Sequence, residues 1–172
     1  MNKNFIPTGY SKSIYEIDLD VLVSLGVKNI LIDLDNTIVP YIQKEPSEKA
    51  KEFKTNLDKI GISLLICSNN KGKRVSHFAN LLGVSYFHSL RKPFASRLLK
   101  ALKQSNINKN ECIFIGDQLI TDILCANKAG IKSILTEPLH KKEPIWTKIN
   151  RMFDKPIRRK LMNKGLLKPI SK

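Results

Sequence analysis

Apolar residues fall in short runs along this chain, and each run ends in glycine or in a cluster of polar side chains. The run at 30–32 stops at Asp33 and Asp35. Runs at 62–67, 84–87, 111–115 and 131–135 complete a set of five. Short apolar runs bounded by turn residues read as strands buried on both faces. Between them the spacing changes to a helical period. Residues 47–59 place Phe53 and Leu57 on one face, with Ile60 following, and Gly61 closes the helix; 73–82 stop at Gly83. A helix opened by Pro93 carries Leu98, Leu99 and Leu102, and 121–129 stop at Gly130. Glycine after a helix and proline in its first turn are the expected punctuation. Strands alternating with helices predict an α/β fold, three-layered and Rossmann-like, around a five-stranded, mostly parallel sheet.

The ends read differently. Residues 1–27 form a lead-in arm, with an extended stretch at 5–7, a turn at Thr8-Gly9 and a short helix at 20–26. Residues 28–140 are the core. Residues 141–172 are a basic, partly helical appendage, which Pro144, Pro156 and Pro169 should break into short helices. No run approaches the roughly 20 apolar residues of a membrane span. Residues 1–20 lack a sustained apolar segment and carry Glu16, Asp18 and Asp20, unlike a secretory signal. Cys67, Cys112 and Cys125 lack metal-ligand spacing and are odd in number, which reads as buried thiols in a reducing compartment. The expected location is cytoplasmic.

Charge changes the picture. Thirty Lys and Arg against fifteen Asp and Glu give +15. From 138 to 172 there are 11 basic residues and 2 acidic ones, so +9 of the total lies in the tail. An excess of this size calls for an anionic partner, whether phosphorylated substrate, acidic membrane or nucleic acid. Its position makes the charge a property of the tail, separable from the chemistry.

The chemistry lies where the runs stop. In open α/β sheets the ligand crevice is beyond the carboxyl ends of the strands. Asp33 and Asp35, Ser68 and Asn69, Lys92, and Asp117 with Asp122 all follow apolar runs or close the loops after them. Alone, each has an ordinary reading: a turn, a cap or a surface lysine. Together they suit phosphoryl transfer. Asp33 would be the nucleophile and Asp35 the general acid and base. Ser68, the Asn69 amide and Lys92 would bind the phosphoryl oxygens, with Lys92 also holding Asp33 ionised. Paired carboxylates need a cation between them, and a hard ion such as Mg²⁺ takes oxygen ligands. Asp33, Asp35 through its backbone carbonyl, and Asp117 would hold it, and Asp122 would support the metal site or fix Lys92. His77, His88 and His140 share no metal spacing and read as structural or surface residues.

Asp33-Leu-Asp35-Asn-Thr37, Ser68-Asn69-Asn70, Lys92-Pro93 and Gly116-Asp117-Gln-Leu-Ile-Thr-Asp122 resemble, in order and placement, the four motifs of haloacid dehalogenase-like (HAD) phosphatases. The resemblance covers residues 28–136. The flanks Ser13-Ile14-Tyr15-Glu16-Ile17, Gly116-Asp117-Gln118 and Glu137-Pro138-Leu139 are similar to the YqeG-like subclass IIIA branch, nearly from end to end. That branch is similar to mitochondrial-type phosphatidylglycerophosphate phosphatases. The resemblance implies Mg²⁺, an aspartyl-phosphate intermediate and a lipid phosphomonoester substrate.

HAD enzymes often carry a cap after the first or second motif. Here the loop after Asp35 is short, and 70–92 holds only a helix and a strand. With minimal or no cap the site should be open, which suits a bulky or membrane-held substrate. The basic tail fits peripheral docking on the inner face of an acidic membrane. Ile145, Trp146, Ile149, Phe153, Leu161, Leu166 and Leu167 are the apolar residues expected at the headgroup boundary. Two alternatives use the same residues. One is a soluble phosphatase for a small metabolite or a phosphoprotein. The other is a nucleic-acid-associated protein, disfavoured because the tail is poor in aromatic stacking groups.

Overall fold

The structure is a computed structural model that describes residues 2–141 and 145–170. The side chain of Trp146 and the boundary residues Lys142, Glu143 and Pro144 lie outside the described residues, and so do the expectations placed on them. Six strands form one sheet: β1 (Gly9–Ser11), β2 (Asn29–Ile32), β3 (Ser63–Cys67), β4 (Ser85–Phe87), β5 (Cys112–Gly116) and β6 (Lys132–Thr136). Their order is β1-β6-β5-β2-β3-β4, and every pairing is parallel.

The sheet therefore has six strands where the apolar runs predict five. The sixth, β1, lies in the stretch read as a lead-in arm. It consists of Gly-Tyr-Ser, with no apolar run to betray it, and pairs Tyr10 with Leu135. Its outer edge is covered in turn by the chain end. Tyr10 N donates to Lys168 O at 2.8 Å, and Ile170 N donates to Tyr10 O at 2.9 Å. Gly9 permits this approach, since a Cβ there would meet the Ile170 side chain at 2.8 Å. Capping an open edge removes a site for unwanted strand pairing.

Helices cover both faces. Ile30 and Ile32 of β2 point to one core, shared with Phe53 and Leu57 of α2 (Glu48–Lys59) and Phe78 of α3 (Gly72–Leu82). The short α1 (Leu19–Ser24) adds Leu22 there. Leu31 points the other way, to Phe114, Leu98 and Leu102 of α4 (Ser96–Gln104), and Cys125 of α5 (Leu124–Ala129). This alternation along one strand makes the three layers. Cys67, Cys112 and Cys125 are buried free thiols.

α6 (Ile145–Asn163) is one helix, with Pro156 inside it, where short broken helices are expected. Pro156 lies on the side of α6 turned away from the protein, near exposed Met152 and Phe153. The carbonyl that loses its partner there belongs to Met152, which is exposed, and water can take the place of the missing N–H. The inner side holds Asp154 and Leu161, both buried. Leu161 joins Leu119, Ile123 and Leu135 in a third cluster, with Ile157, Leu166 and Leu167 against it. Leu161, Leu166 and Leu167 thus turn inward, contrary to their expected place at a membrane boundary. No helix among the described residues is long and apolar enough to cross a membrane.

Candidate active site

β2 lies between β3 and β5, where the strand order reverses. A crevice opens there beyond the strand ends. It is a cavity of about 210 Å³ lined by Asp33, Asp35, Ser68, Asn69, Lys92 and Gln118, among others. Four segments far apart in sequence converge on it. Asp33 is locked by its own N–H, which extends the β2–β5 ladder to Ile115 O at 2.9 Å. Ser68 is fixed likewise, its N–H donating to Phe87 O at 3.0 Å.

Lys92 is the hub. Its buried ammonium donates to Asp33 Oδ1 at 2.6 Å, Asp122 Oδ1 at 2.7 Å and Cys67 O at 2.9 Å. An ammonium has three protons, so its donor capacity is filled. Asn69 places the Lys92 backbone with a reciprocal pair: Lys92 N donates to Asn69 Oδ1 at 2.6 Å, and Asn69 Nδ2 donates to Lys92 O at 3.0 Å. Burial disfavours the charged lysine, but Asp122 and Asp33 more than offset it and hold its pKa above the ordinary value. Burial pushes the Asp33 carboxyl well up, against the pull of Lys92, with Asp122, Asp117 and Asp35 adding to the rise.

Asp117 is fully buried. Burial pushes it up to about 6, although Arg151 opposes the shift. Thr37 Oγ1 donates to Asp117 Oδ1 at 3.2 Å, and Arg151 pairs with Oδ2 at 2.5 Å. One oxygen each from Asp33, Asp117 and Asp122 lies within 4.8 Å of the others. Three buried carboxylates in so small a volume form a hard-oxygen donor set that fits a divalent cation. The Asp35 carboxylate is not in this trio. Arg74 donates to its Oδ1 from Nη2 at 2.6 Å and from Nε at 3.0 Å, and Asn70 donates to Oδ2. Any share of Asp35 in metal binding falls to its backbone carbonyl.

Gly116 matters for close approach. A Cβ there would lie 2.4 Å from the Asp122 side chain. Asp122 folds back under the loop, and Gln118 N donates to its Oδ2 at 3.1 Å. Asp122 therefore fixes both Lys92 and the turn that carries Asp117. That turn begins a π-type turn, Leu119–Ile123, before α5.

The tail is not separate from the chemistry. Arg151 Nη1 and Arg158 Nη2 each donate to Asp117 O at 2.9 Å. Buried Asp154 accepts from Leu119 N at 2.8 Å and Ile120 N at 3.0 Å. Thr147 and Asn150 of α6 stand on the rim of the cavity. No separate cap stands over the crevice among the described residues, and α6 supplies part of its wall. Arg74, Arg151, Asp154 and Arg158 escape the sequence reading. Asp154 leaves one signal, as an acid amid basic residues. The flanks find structural roles: Tyr15 Oη donates to Ile38 O at 2.6 Å, bracing the loop after Asp35. Glu137 accepts from Tyr10 Oη at 2.7 Å and Arg158 Nη1 at 2.6 Å.

A strand-end carboxylate beside a buried lysine and an acidic trio, on this doubly wound sheet, defines a HAD-type phosphoric monoester hydrolase. The chain belongs to the family whose model is described as mitochondrial PGP phosphatase, which matches residues 1–140. It is 33% identical to the probable phosphatase YqeG of Bacillus subtilis, over 96% of each chain. It is 28% identical to phosphatidylglycerophosphate phosphatase 1 (chloroplastic/mitochondrial) of Arabidopsis thaliana, over 92% of this chain and 48% of that one. Among solved structures, the fold is similar to cobalt-bound deoxy-D-mannose-octulosonate 8-phosphate phosphatase of Haemophilus influenzae. There the TM-score is 0.53 at 17% identity, covering 73% of this chain and 75% of that one.

Proposed function

We propose that the protein is a Mg²⁺-dependent phosphatase that converts phosphatidylglycerophosphate to phosphatidylglycerol at the surface of an anionic membrane. The observation that carries this is Asp33: a strand-end carboxylate sharing one buried lysine with Asp122, inside a carboxylate trio. When bound, a divalent ion held by Asp33, Asp117, Asp122 and the Asp35 carbonyl would neutralise charge between nucleophile and phosphate.

Asp33 attacks phosphorus, forming a P–O bond as the bond to the leaving alcohol breaks. Asp35 gives the alcohol its proton, a step for which its carboxylate, which accepts from Arg74 and Asn70 in the structure, must first release one of them and take up a proton. It then takes a proton from the water that attacks the aspartyl-phosphate, which frees Asp33. Lys92 balances charge on the phosphoryl oxygens, and Ser68 donates to them.

Three observations support the lipid. The family model and the Arabidopsis relative carry that substrate in their names. The crevice has no separate lid among the described residues. The outer side of α6, beside the rim, exposes Ile145, Ile149, Met152 and Phe153 next to basic residues. The test is phosphate release from phosphatidylglycerophosphate in mixed micelles, with and without Mg²⁺, for wild type and Asp33→Asn. Release by the wild type alone, and only with Mg²⁺, is expected. Turnover of soluble sugar phosphates or nucleotides without the lipid would overturn the substrate assignment.

A further inference from the structure

Besides the charged groups at its strand ends, the catalytic crevice is walled by uncharged polar side chains. Gln118 and Thr121 come from the turn that carries Asp117, and Thr147 and Asn150 from α6. Thr147 and Asn150 are three residues apart, so they share one side of the helix. Lys148, between them, is exposed. In a chain of net charge +15, α6 thus brings a threonine and an asparagine to the crevice and sends a neighbouring lysine to solvent. Neutral hydrogen-bonding groups in that position fit a neutral polar ligand group.

Much of the hydrogen-bonding capacity of this wall is unspent. Gln118 is only 9% exposed. Its Oε1 receives Asn150 Nδ2 at 3.4 Å, near the outer limit of a hydrogen bond. Among the described residues, Gln118 Nε2 and Asn150 Oδ1 have no hydrogen-bond partner. A largely buried amide with idle donors calls for a partner. The cations nearby are by contrast committed: Lys92 to Asp33 and Asp122, Arg74 to Asp35, and Arg151 to Asp117. The wall offers donors and acceptors without charge. A cavity of about 210 Å³ holds a phosphoryl group and a few atoms beyond it, so the wall can touch only what lies close to the ester.

We propose that Gln118 and Asn150, with Thr147 beside them, recognise the leaving alcohol through a hydroxyl on the carbon next to the scissile ester, and so select polyol phosphates. The inference rests on the phosphatase reading above and deepens it. In phosphatidylglycerophosphate that hydroxyl is the one left free on the terminal glycerol. The hydroxyl donates to Asn150 Oδ1 and accepts from Gln118 Nε2, filling the two groups that lack partners. An alcohol without it leaves both unpaired in a largely buried wall, which is what makes such a site discriminate.

The experiment compares two water-soluble monoesters that differ in that hydroxyl alone: glycerol 1-phosphate, which has it, and 3-hydroxypropyl phosphate, which lacks it. Affinities for both, and for inorganic phosphate, are measured calorimetrically with Mg²⁺ present in the inactive Asp33→Asn background. Glycerol 1-phosphate should bind about tenfold more tightly than its deoxy analogue. Gln118→Leu and Asn150→Leu should each remove most of that margin and leave the affinity for inorganic phosphate unchanged. No margin, or a margin that survives both substitutions, overturns the subsite. An equal loss of affinity for inorganic phosphate also overturns it, because the wall would then only support the phosphate site. Should Gln118→Leu fail to fold, Asn150→Leu, on the half-exposed side of α6, decides alone. Phosphate release by the wild type judges the phosphatase reading separately, since the binding comparison does not depend on turnover.

Discussion

Lys92 has the environment that decides the chemistry at the scale of single residues. A buried ammonium between two buried carboxylates cannot lose its charge without leaving Asp33 and Asp122 facing each other. Removing one partner of such a set costs about 3–5 kcal/mol. Lys92→Met should therefore lower the melting temperature as well as kcat, the latter by about 10²–10³-fold. A variant that keeps its stability and loses only activity would show that the carboxylates are protonated at rest. Asp117 contributes to the pH dependence together with Asp33, whose carboxyl burial also pushes up. The folded value of Asp117, about 6, lies above the ordinary 3.8. Between those values the metal-free folded chain holds a proton that the unfolded chain has released. That contribution to stability is complete below the ordinary value and is lost as pH rises through about 6. A divalent ion needs the bare carboxylate and must displace the proton. A fixed Mg²⁺ concentration should accordingly raise the melting temperature more at about pH 7 than at about pH 5. Equal shifts at the two pH values would remove Asp117 from the ligand set.

At the scale of elements, α6 is what the catalytic loop leans on. Asp154 neutralises two backbone donors at the start of the turn that carries Asp117 and Asp122. Asp154→Ala leaves both unpaired, at about 1–3 kcal/mol for each orphaned donor. The expected result is a lower melting temperature together with weaker Mg²⁺ binding by calorimetry. Asp154→Asn, whose amide oxygen still accepts one bond, should recover part of both. Unchanged metal binding in Asp154→Ala would mean that the loop holds itself. This dependence was not legible in the sequence, because Asp154 lies 34 and 35 residues from the amides it caps. The motif residues were legible for the opposite reason. Asp33, Ser68 and Asp117 each follow an apolar run, so the strand that presents them also announces them, whereas Lys92 and Asp122 sit in the loops beyond and are legible only through the motifs they complete. β1 escaped because three residues of Gly-Tyr-Ser pair through their backbone alone. The length of α6 escaped because Pro156 signals a break whose cost depends on which side faces water.

At the scale of the whole molecule, charge and apolar exposure meet on one surface. The inner side of α6 holds Arg151, Asp154, Arg158 and Leu161 against the protein. The outer side leaves Ile145 67%, Met152 71% and Phe153 61% exposed. Lys148, Lys155, Arg159 and Lys160 accompany them, and Asp154, the helix's acid, is turned inward. On the membrane reading proposed above, this apolar stripe bordered by cations would lie flat on an anionic bilayer, as amphipathic helices of this kind do. Each Lys or Arg near such a surface contributes about 1 kcal/mol, screened over roughly 10 Å at 0.1 M salt. Four of them give micromolar-range docking only when the apolar stripe is also buried. The chain should sediment with vesicles containing phosphatidylglycerol and not with phosphatidylcholine alone, and added salt should weaken the association. Met152→Ser and Phe153→Ser should each weaken it by on the order of tenfold, since burying such a side chain is worth about 1.5–3 kcal/mol. If both variants sediment like the wild type while salt still releases the chain, the +15 acts as a diffuse charge and α6 does not orient the crevice to the lipid. Binding to RNA with the same salt dependence, unmatched by vesicles, would reassign the surface to phosphates of another kind.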